Sequence, residues 1–121
     1  MPSVLILEDD ATMLNLLRVF LELENIEARE VHNYQDVKHV VAEVEKCQPD
    51  LVLLDVQLSQ FNGFDVLRSL RMNPPTQQIR VLIMSGLDVS HECFQEGADG
   101  FIMKPFMPDD LLAKIRQLLG K

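Results

Sequence analysis

No stretch of this 121-residue chain approaches the roughly 20 consecutive apolar residues that a membrane-spanning helix needs. The N-terminus also lacks the pattern of a signal peptide, since Met1-Pro2-Ser3 runs straight into Val4-Leu5-Ile6-Leu7 and then into acid. Both absences point to a cytoplasmic protein with no membrane partner. Positive charge is scarce: eleven Lys and Arg stand against nineteen Asp and Glu, for a formal charge of −8. That balance argues against direct nucleic-acid binding, which relies on clustered cations to neutralise phosphates. It suits a divalent-cation site or a basic partner surface. Cysteine is limited to Cys47 and Cys93, without CxxC spacing, so free thiols in a reducing compartment are expected. His32, His39 and His91 are scattered and make no metal or relay cluster. Internal repeats, low-complexity tracts and linkers are missing too, and residues 1–121 are expected to form a single domain.

What is present is a hydrophobic share of 47%, enough for a core, with 25% charged residues for a solvated surface. Five segments read as strands: Val4 to Leu7, Glu27 to Val31, Leu51 to Leu54, Val81 to Met84, and Phe101 to Met103. Four are near-continuous apolar runs, as expected of parallel strands covered on both faces. Glu27 to Val31 is more polar and reads as an edge. Helical spacing fills the gaps, with Leu14, Leu17 and Leu21 after the first strand. Val37, Val40, Val41 and Val44 follow the second, with Asn33 placed to cap that helix. Phe64, Leu67 and Leu70 mark a third, closed by Asn73-Pro74-Pro75, and a short fourth within Val89 to Glu96 stops at Gly97. The last begins at Pro108, carries Asp109 and Asp110 at its positive end, buries Leu111, Leu112, Ile115, Leu118 and Leu119, and ends at Gly120. Met72, Met84, Met103 and Met107 read as core or gap-filling residues. Strand and helix alternating five times predict an α/β fold, a doubly wound five-stranded parallel sheet in the flavodoxin-like order 2-1-3-4-5 with helices on both faces.

The strand ends carry the chemistry. The first apolar strand runs into Glu8-Asp9-Asp10, the third into Asp55, the fourth into Ser85 and the fifth into Lys104-Pro105. In an open parallel sheet all carboxyl ends share one edge, where ligands bind. Acids, a hydroxyl and a lysine should therefore converge there. Crowded carboxylates repel one another unless a cation joins them, and magnesium favours oxygen ligands and often bridges carboxylates to a phosphate. Asp55 could complete such a shell and act as nucleophile, with Lys104 and Ser85 compensating charge on phosphoryl oxygens.

Glu8-Asp9 after Val-Leu-Ile-Leu, Leu53-Leu54-Asp55-Val56-Gln57-Leu58, Asn62-Gly63, Met84-Ser85-Gly86 and Gly97-Ala98-Asp99-Gly100-Phe101-Ile102-Met103-Lys104-Pro105-Phe106 together resemble the receiver domains of two-component signalling. The resemblance covers essentially the whole chain; each motif is weak alone, and five in order are specific. It implies a phosphoacceptor at Asp55, served by a histidine kinase or histidine phosphotransfer protein. It also implies Mg2+ (or Mn2+) held by Glu8, Asp9, Asp55 and the backbone carbonyl of Gln57. Ser85 and Lys104 match the groups that contact the phosphoryl group, and Ser85 with Phe101 matches the switch pair. Lys104-Pro105 matches a frequent cis peptide. On this reading the chain is not an enzyme beyond its own phosphorylation and dephosphorylation, and the downstream protein is unspecified.

Departures from the family pattern carry their own expectations. Ser59 takes the place of a usual proline, which predicts a looser acceptor loop. Lys104 comes only nineteen positions after Ser85, so the fourth helix should be short. Gln57 and apolar Leu87 flank the route of an attacking water, which predicts slow self-dephosphorylation. Plainer readings stand beside these: Glu8, Asp9 and Asp10 as the acidic start of a helix, Asp10 as its cap, Asp55, Ser85 and Lys104 as ordinary surface or strand-end residues, and Phe101 as simple packing. A phosphatase with an aspartate nucleophile needs a second acid where Gln57 stands. A flavodoxin needs a phosphate-binding loop where Glu8-Asp9-Asp10 would repel phosphate. The alternative that remains is a pseudo-receiver, a phosphorylation-independent protein-binding module.

Overall fold

Apolar runs too short for helices become the strands of one sheet in the computed structural model, which describes residues 1–31 and 35–120. The strands are β1 (Ser3–Leu7), β2 (Glu27–Glu30), β3 (Leu51–Asp55), β4 (Arg80–Ser85) and β5 (Gly100–Met103). All pairings are parallel and the order is β2-β1-β3-β4-β5, the doubly wound arrangement expected from the sequence. Parallel neighbours cannot be joined by a tight turn. Each connection is a helix: α1 (Ala11–Leu23), α2 (Val37–Cys47), α3 (Gly63–Met72) and α4 (Ser90–Gln95), with α5 (Pro108–Leu118) closing the chain.

Successive strand residues point to opposite faces, and this divides the core in two. Val4 and Ile6 of β1, Leu51 and Leu53 of β3, and Leu82 and Met84 of β4 meet Leu17 and Leu21 of α1 and Leu111 and Ile115 of α5. Leu5 and Leu7, Val52 and Leu54, and Val81 and Ile83 meet Val40 and Val44 of α2, Val66, Leu67 and Leu70 of α3, and Cys93 of α4. Burial raises the Cys93 thiol to about 11, which keeps it neutral. β1, β3 and β4 are covered on both faces. β5 is an edge strand with only Ile102 buried, less enclosed than its apolar sequence suggested.

Local chemistry sets the helix ends. Asp10 caps α1, accepting from Thr12 N at 2.9 Å and Met13 N at 3.3 Å, and Asn62 caps α3 through Phe64 N at 2.8 Å. The cap of α2 is Asp36, bonded to His39 N at 2.8 Å; Asn33, expected in that role, lies outside the described residues. Gly97 and Gly120 follow α4 and α5 with φ of 99° and 83°, a conformation glycine adopts without steric cost.

Three expectations change. β2 stops at Glu30, although Val31 is buried beyond it. Of the methionines read as core, only Met84 is internal; Met72, Met103 and Met107 are 83%, 48% and 66% exposed. Met72 ends α3, Met107 is the residue before α5, and Met103 lies on the edge strand, positions at the margin of the fold and not inside it. In α5, Leu111 and Ile115 are fully buried, while Leu112, Leu118 and Leu119 pack at the margin.

Gly63, the first residue of α3, lies against the backbone that follows β3. A Cβ there would stand 2.6 Å from the Asp55 carbonyl oxygen and 2.7 Å from Val56 Cα, neither of which can swing aside. Gly63→Ala is expected to destabilise the fold by about 1–3 kcal/mol, the usual range for overpacking, read as a lowered urea midpoint.

Candidate functional site at the carboxyl edge of the sheet

Register brings the strand-end residues together. Leu7 pairs with Leu54, so Glu8 and Asp55, each one residue further on, emerge side by side. Asp55 pairs with Met84 and Ser85 with Met103, and the Lys104 N–H donates to the Ser85 carbonyl at 2.8 Å. Glu8, Asp55 and Ser85 are 2%, 4% and 1% exposed. Acids and a hydroxyl are rarely this buried without partners.

Lys104 supplies the partner for both acids. Its Nζ lies 2.9 Å from Glu8 Oε1 and 2.9 Å from Asp55 Oδ2. The second oxygens are held by backbone: Asp55 Oδ1 accepts from Gln57 N at 3.0 Å, and Glu8 Oε2 from Asp10 N at 3.1 Å. Ser85 Oγ accepts from Leu87 N at 3.0 Å. Asp9 is exposed, and its Oδ2 accepts from Ser59 N at 2.5 Å. The Lys104–Pro105 peptide is cis. Gln57 is exposed and pairs with Asn62 in an isolated bridge across the acceptor loop. Phe101 is half-buried and packs against the core shared with α2, α3 and α4.

The cluster is short of positive charge. Burial raises the Glu8 carboxyl, and nearby Asp55 adds to that, outweighing the hydrogen bonds from Lys104 and the Asp10 backbone. Burial works against the Lys104 ammonium, but bonds to Asp55 and Glu8 prevail and hold its pKa above the ordinary lysine value. Partial burial also works against ionised Asp9; donors from Ser59 outweigh it and leave the carboxyl below the usual range.

Among the described residues, no three His, Cys, Asp or Glu side chains close into a metal cage. Magnesium does not require one, because it keeps several waters and takes one or two carboxylates. The donors at this edge are oxygens without thiolate or imidazole, which is the chemistry of a hard cation. One ammonium among the carboxylates of Glu8, Asp9 and Asp55 leaves negative charge that such a cation would neutralise.

Sequence reading missed one contact. Ser59 was expected to loosen the acceptor loop, yet its N–H ties that loop to Asp9. The signal was present, since serine has an N–H and proline does not. Asp10, read as either site acid or cap, is the cap of α1.

Comparison with known proteins bears on the family and the fold. The model of the response regulator receiver domain matches residues 4–116. The chain is 33% identical to the DNA-binding dual master transcriptional regulator RpaA of Synechocystis, over all of this chain and 50% of that protein. It is 30% identical to the phosphate regulon transcriptional regulatory protein PhoB of Pseudomonas aeruginosa, over 98% of this chain and 52% of the relative. The chain thus spans about half the length of these curated relatives. Among solved structures, the N-terminal domain of the nisin resistance regulator NsrR superposes with a TM-score of 0.85 at 32% identity, covering 98% of both chains. The receiver domain of sensor histidine kinase PA1611 from Pseudomonas aeruginosa, which has magnesium coordinated in its active site cleft, gives a TM-score of 0.85 at 20% identity over 99% of this chain and 98% of its own. This last likeness concerns the fold. A family match over residues 4–116, with relatives aligned along nearly the entire chain, leads to one conclusion: the chain belongs to the response regulator receiver domains of two-component signalling.

Proposed function

We propose that the chain accepts a phosphoryl group from a phosphohistidine donor onto Asp55 and signals by a conformational change. The observation that carries this reading is the buried Asp55 carboxylate with the Lys104 ammonium 2.9 Å from Oδ2. A carboxylate oxygen of Asp55 attacks phosphorus, the P–N bond to the donor imidazole breaks, and the electron pair leaves with the ring, which takes a proton. Lys104 already faces Asp55, so its ammonium is available to phosphoryl oxygens without crossing the site. The Ser85 hydroxyl, whose oxygen is held by Leu87 N, has its hydrogen to donate to the same group.

Glu8, Asp9, Asp55 and the Gln57 carbonyl are the groups that would hold Mg2+ (or Mn2+). When bound, the ion neutralises charge shared by the carboxylates and the transferring group. Support comes from the all-oxygen donor set and from the magnesium found in the cleft of the PA1611 receiver.

The phosphoryl group brings negative charge and acceptor oxygens beside Ser85 and Lys104. Ser85 drawn toward it pulls on Leu87 and the start of α4, and Phe101 moves into the space released. The donor is a histidine kinase or phosphotransfer protein. The output passes to a downstream protein, or to a domain equivalent to the other half of the DNA-binding relatives. At −8 the chain itself is not expected to contact nucleic acid. We assign residues 1–121 to one cytoplasmic domain that catalyses its own phosphorylation and dephosphorylation alone.

Incubation with acetyl phosphate should add one phosphoryl group to the intact mass only when magnesium is present, and Asp55→Asn should abolish the adduct. No adduct on the native chain would turn the reading to the pseudo-receiver. With Gln57 and exposed Leu87 beside the route of water, the adduct should persist for well over seconds after desalting; decay within seconds would contradict slow hydrolysis.

Lys104→Met should leave metal binding largely intact and uncouple phosphorylation from the conformational change, measured as loss of adduct-dependent amide shifts. In the metal-free variant, loss of the ammonium should raise the Glu8 pKa further, visible in a carboxyl 13C titration. The sign for stability follows from proton counting. Below pH 4.5 both states hold the Glu8 proton. As pH rises from there through the raised native value, the unfolded chain releases it first, so the native state loses stability. The urea midpoint of Lys104→Met should therefore fall more steeply than that of the native chain as pH rises above 4.5.

A further inference from the structure

Ser59 stands at the tip of the acceptor loop, four residues beyond Asp55. The loop is not free to wander. Gln57 pairs with Asn62, Gly63 N donates to the Val56 carbonyl at 2.7 Å, and Leu58, next to Ser59, is buried in the core. From this fixed tip the Ser59 N–H reaches Asp9 Oδ2 at 2.5 Å, and the Ser59 hydroxyl lies close enough to the same carboxylate to favour its ionised form. Asp9 comes from the other strand end, fifty residues away in sequence. It is solvent-exposed, unlike Glu8 and Asp55, so no surrounding core restricts its rotamer.

We propose that Ser59 is a positioning residue for the cation site, orienting Asp9 through its backbone N–H on Oδ2, with the hydroxyl close to the same carboxylate, so that the remaining oxygen is presented to the metal. The inference deepens the reading above and rests on Asp9 being a metal ligand. Its physical basis is general. A ligand carboxylate held by outer hydrogen bonds loses less freedom when it binds, and removal of such a partner typically weakens metal affinity 10–100-fold. The backbone donor matters most, since its position is set by the loop and needs no side-chain ordering. Proline at this position would supply neither donor.

The test is Mg2+ titration of the full chain, followed calorimetrically and by amide shifts, for native protein, Ser59→Pro, Ser59→Ala and each of these combined with Asp9→Asn. Ser59→Pro is expected to weaken magnesium binding about tenfold. Ser59→Ala, which keeps the N–H, should show a smaller loss. Neither change should have a further effect once Asp9 is Asn, because the residue acts through that carboxylate. Unchanged or tighter binding in both variants overturns the proposal, as does an equal loss in the Asp9→Asn background. Should Ser59→Pro fail to fold, the Ser59→Ala pair decides. Native protein that binds magnesium while Ser59 variants bind equally well refutes only the role of Ser59. Native protein that binds none refutes the cation site and Ser59 with it.

Discussion

The ammonium of Lys104, 2.9 Å from Glu8 and 2.9 Å from Asp55, is the contact on which the carboxyl edge of the sheet depends. Two carboxylates 2% and 4% exposed would repel each other in a low-dielectric setting, and burying them unpaired costs several kcal/mol per ion. Glu8 follows β1, Asp55 ends β3 and Lys104 follows β5; β1 pairs with β3, and β3 and β5 are joined through β4. A one-residue slip in any of these pairings would turn a charged group to the wrong face and leave its partners buried without it. The apolar alternation that builds two cores thus also fixes where the charges meet.

The delivery of Lys104 is itself braced. Arg71 at the end of α3 donates to the Gly97 carbonyl at 2.9 Å, to the Ile79 carbonyl at 2.7 Å and to Asp99 at 2.9 Å. Asp99 also accepts from Val81 N at 2.9 Å. Arg68, one turn earlier, pairs with Glu96 at the end of α4. The turn that leads into β5 is therefore tied to α3 and β4 on several sides. The other end of α4 differs, for Val89 provides no side-chain cap and Leu87 is linked to the Ser85 hydroxyl.

Much of this was legible in the chain because the signals were periodic or local. Apolar runs ending in Glu8-Asp9, Asp55, Ser85 and Lys104 showed both the parallel sheet and which residues share its edge. Gly97 and Gly120 marked helix ends, and Pro108 a helix start. The misreadings share a cause. Asp36 and Asn33 are both competent caps, and only the path of the backbone selects between them. Met72, Met84, Met103 and Met107 look alike in sequence, and burial of Met84 alone depends on which positions another element covers. Ser59 looked like the loss of a rigid residue; its gain of a donor became visible only with Asp9 alongside.

The sequence by itself determined the alternation of elements, the strand order and the identity of the groups at the carboxyl edge, because hydrophobic period and strand ends are written locally. Tertiary structure decided how those groups pair: Lys104 shared between Glu8 and Asp55, and Asp9 drawn instead to Ser59. Each of those choices depends on distances between segments 49 to 96 residues apart. No local pattern encodes such distances. They arise when strand register, two-sided burial and the requirement to pair every buried charge are satisfied together.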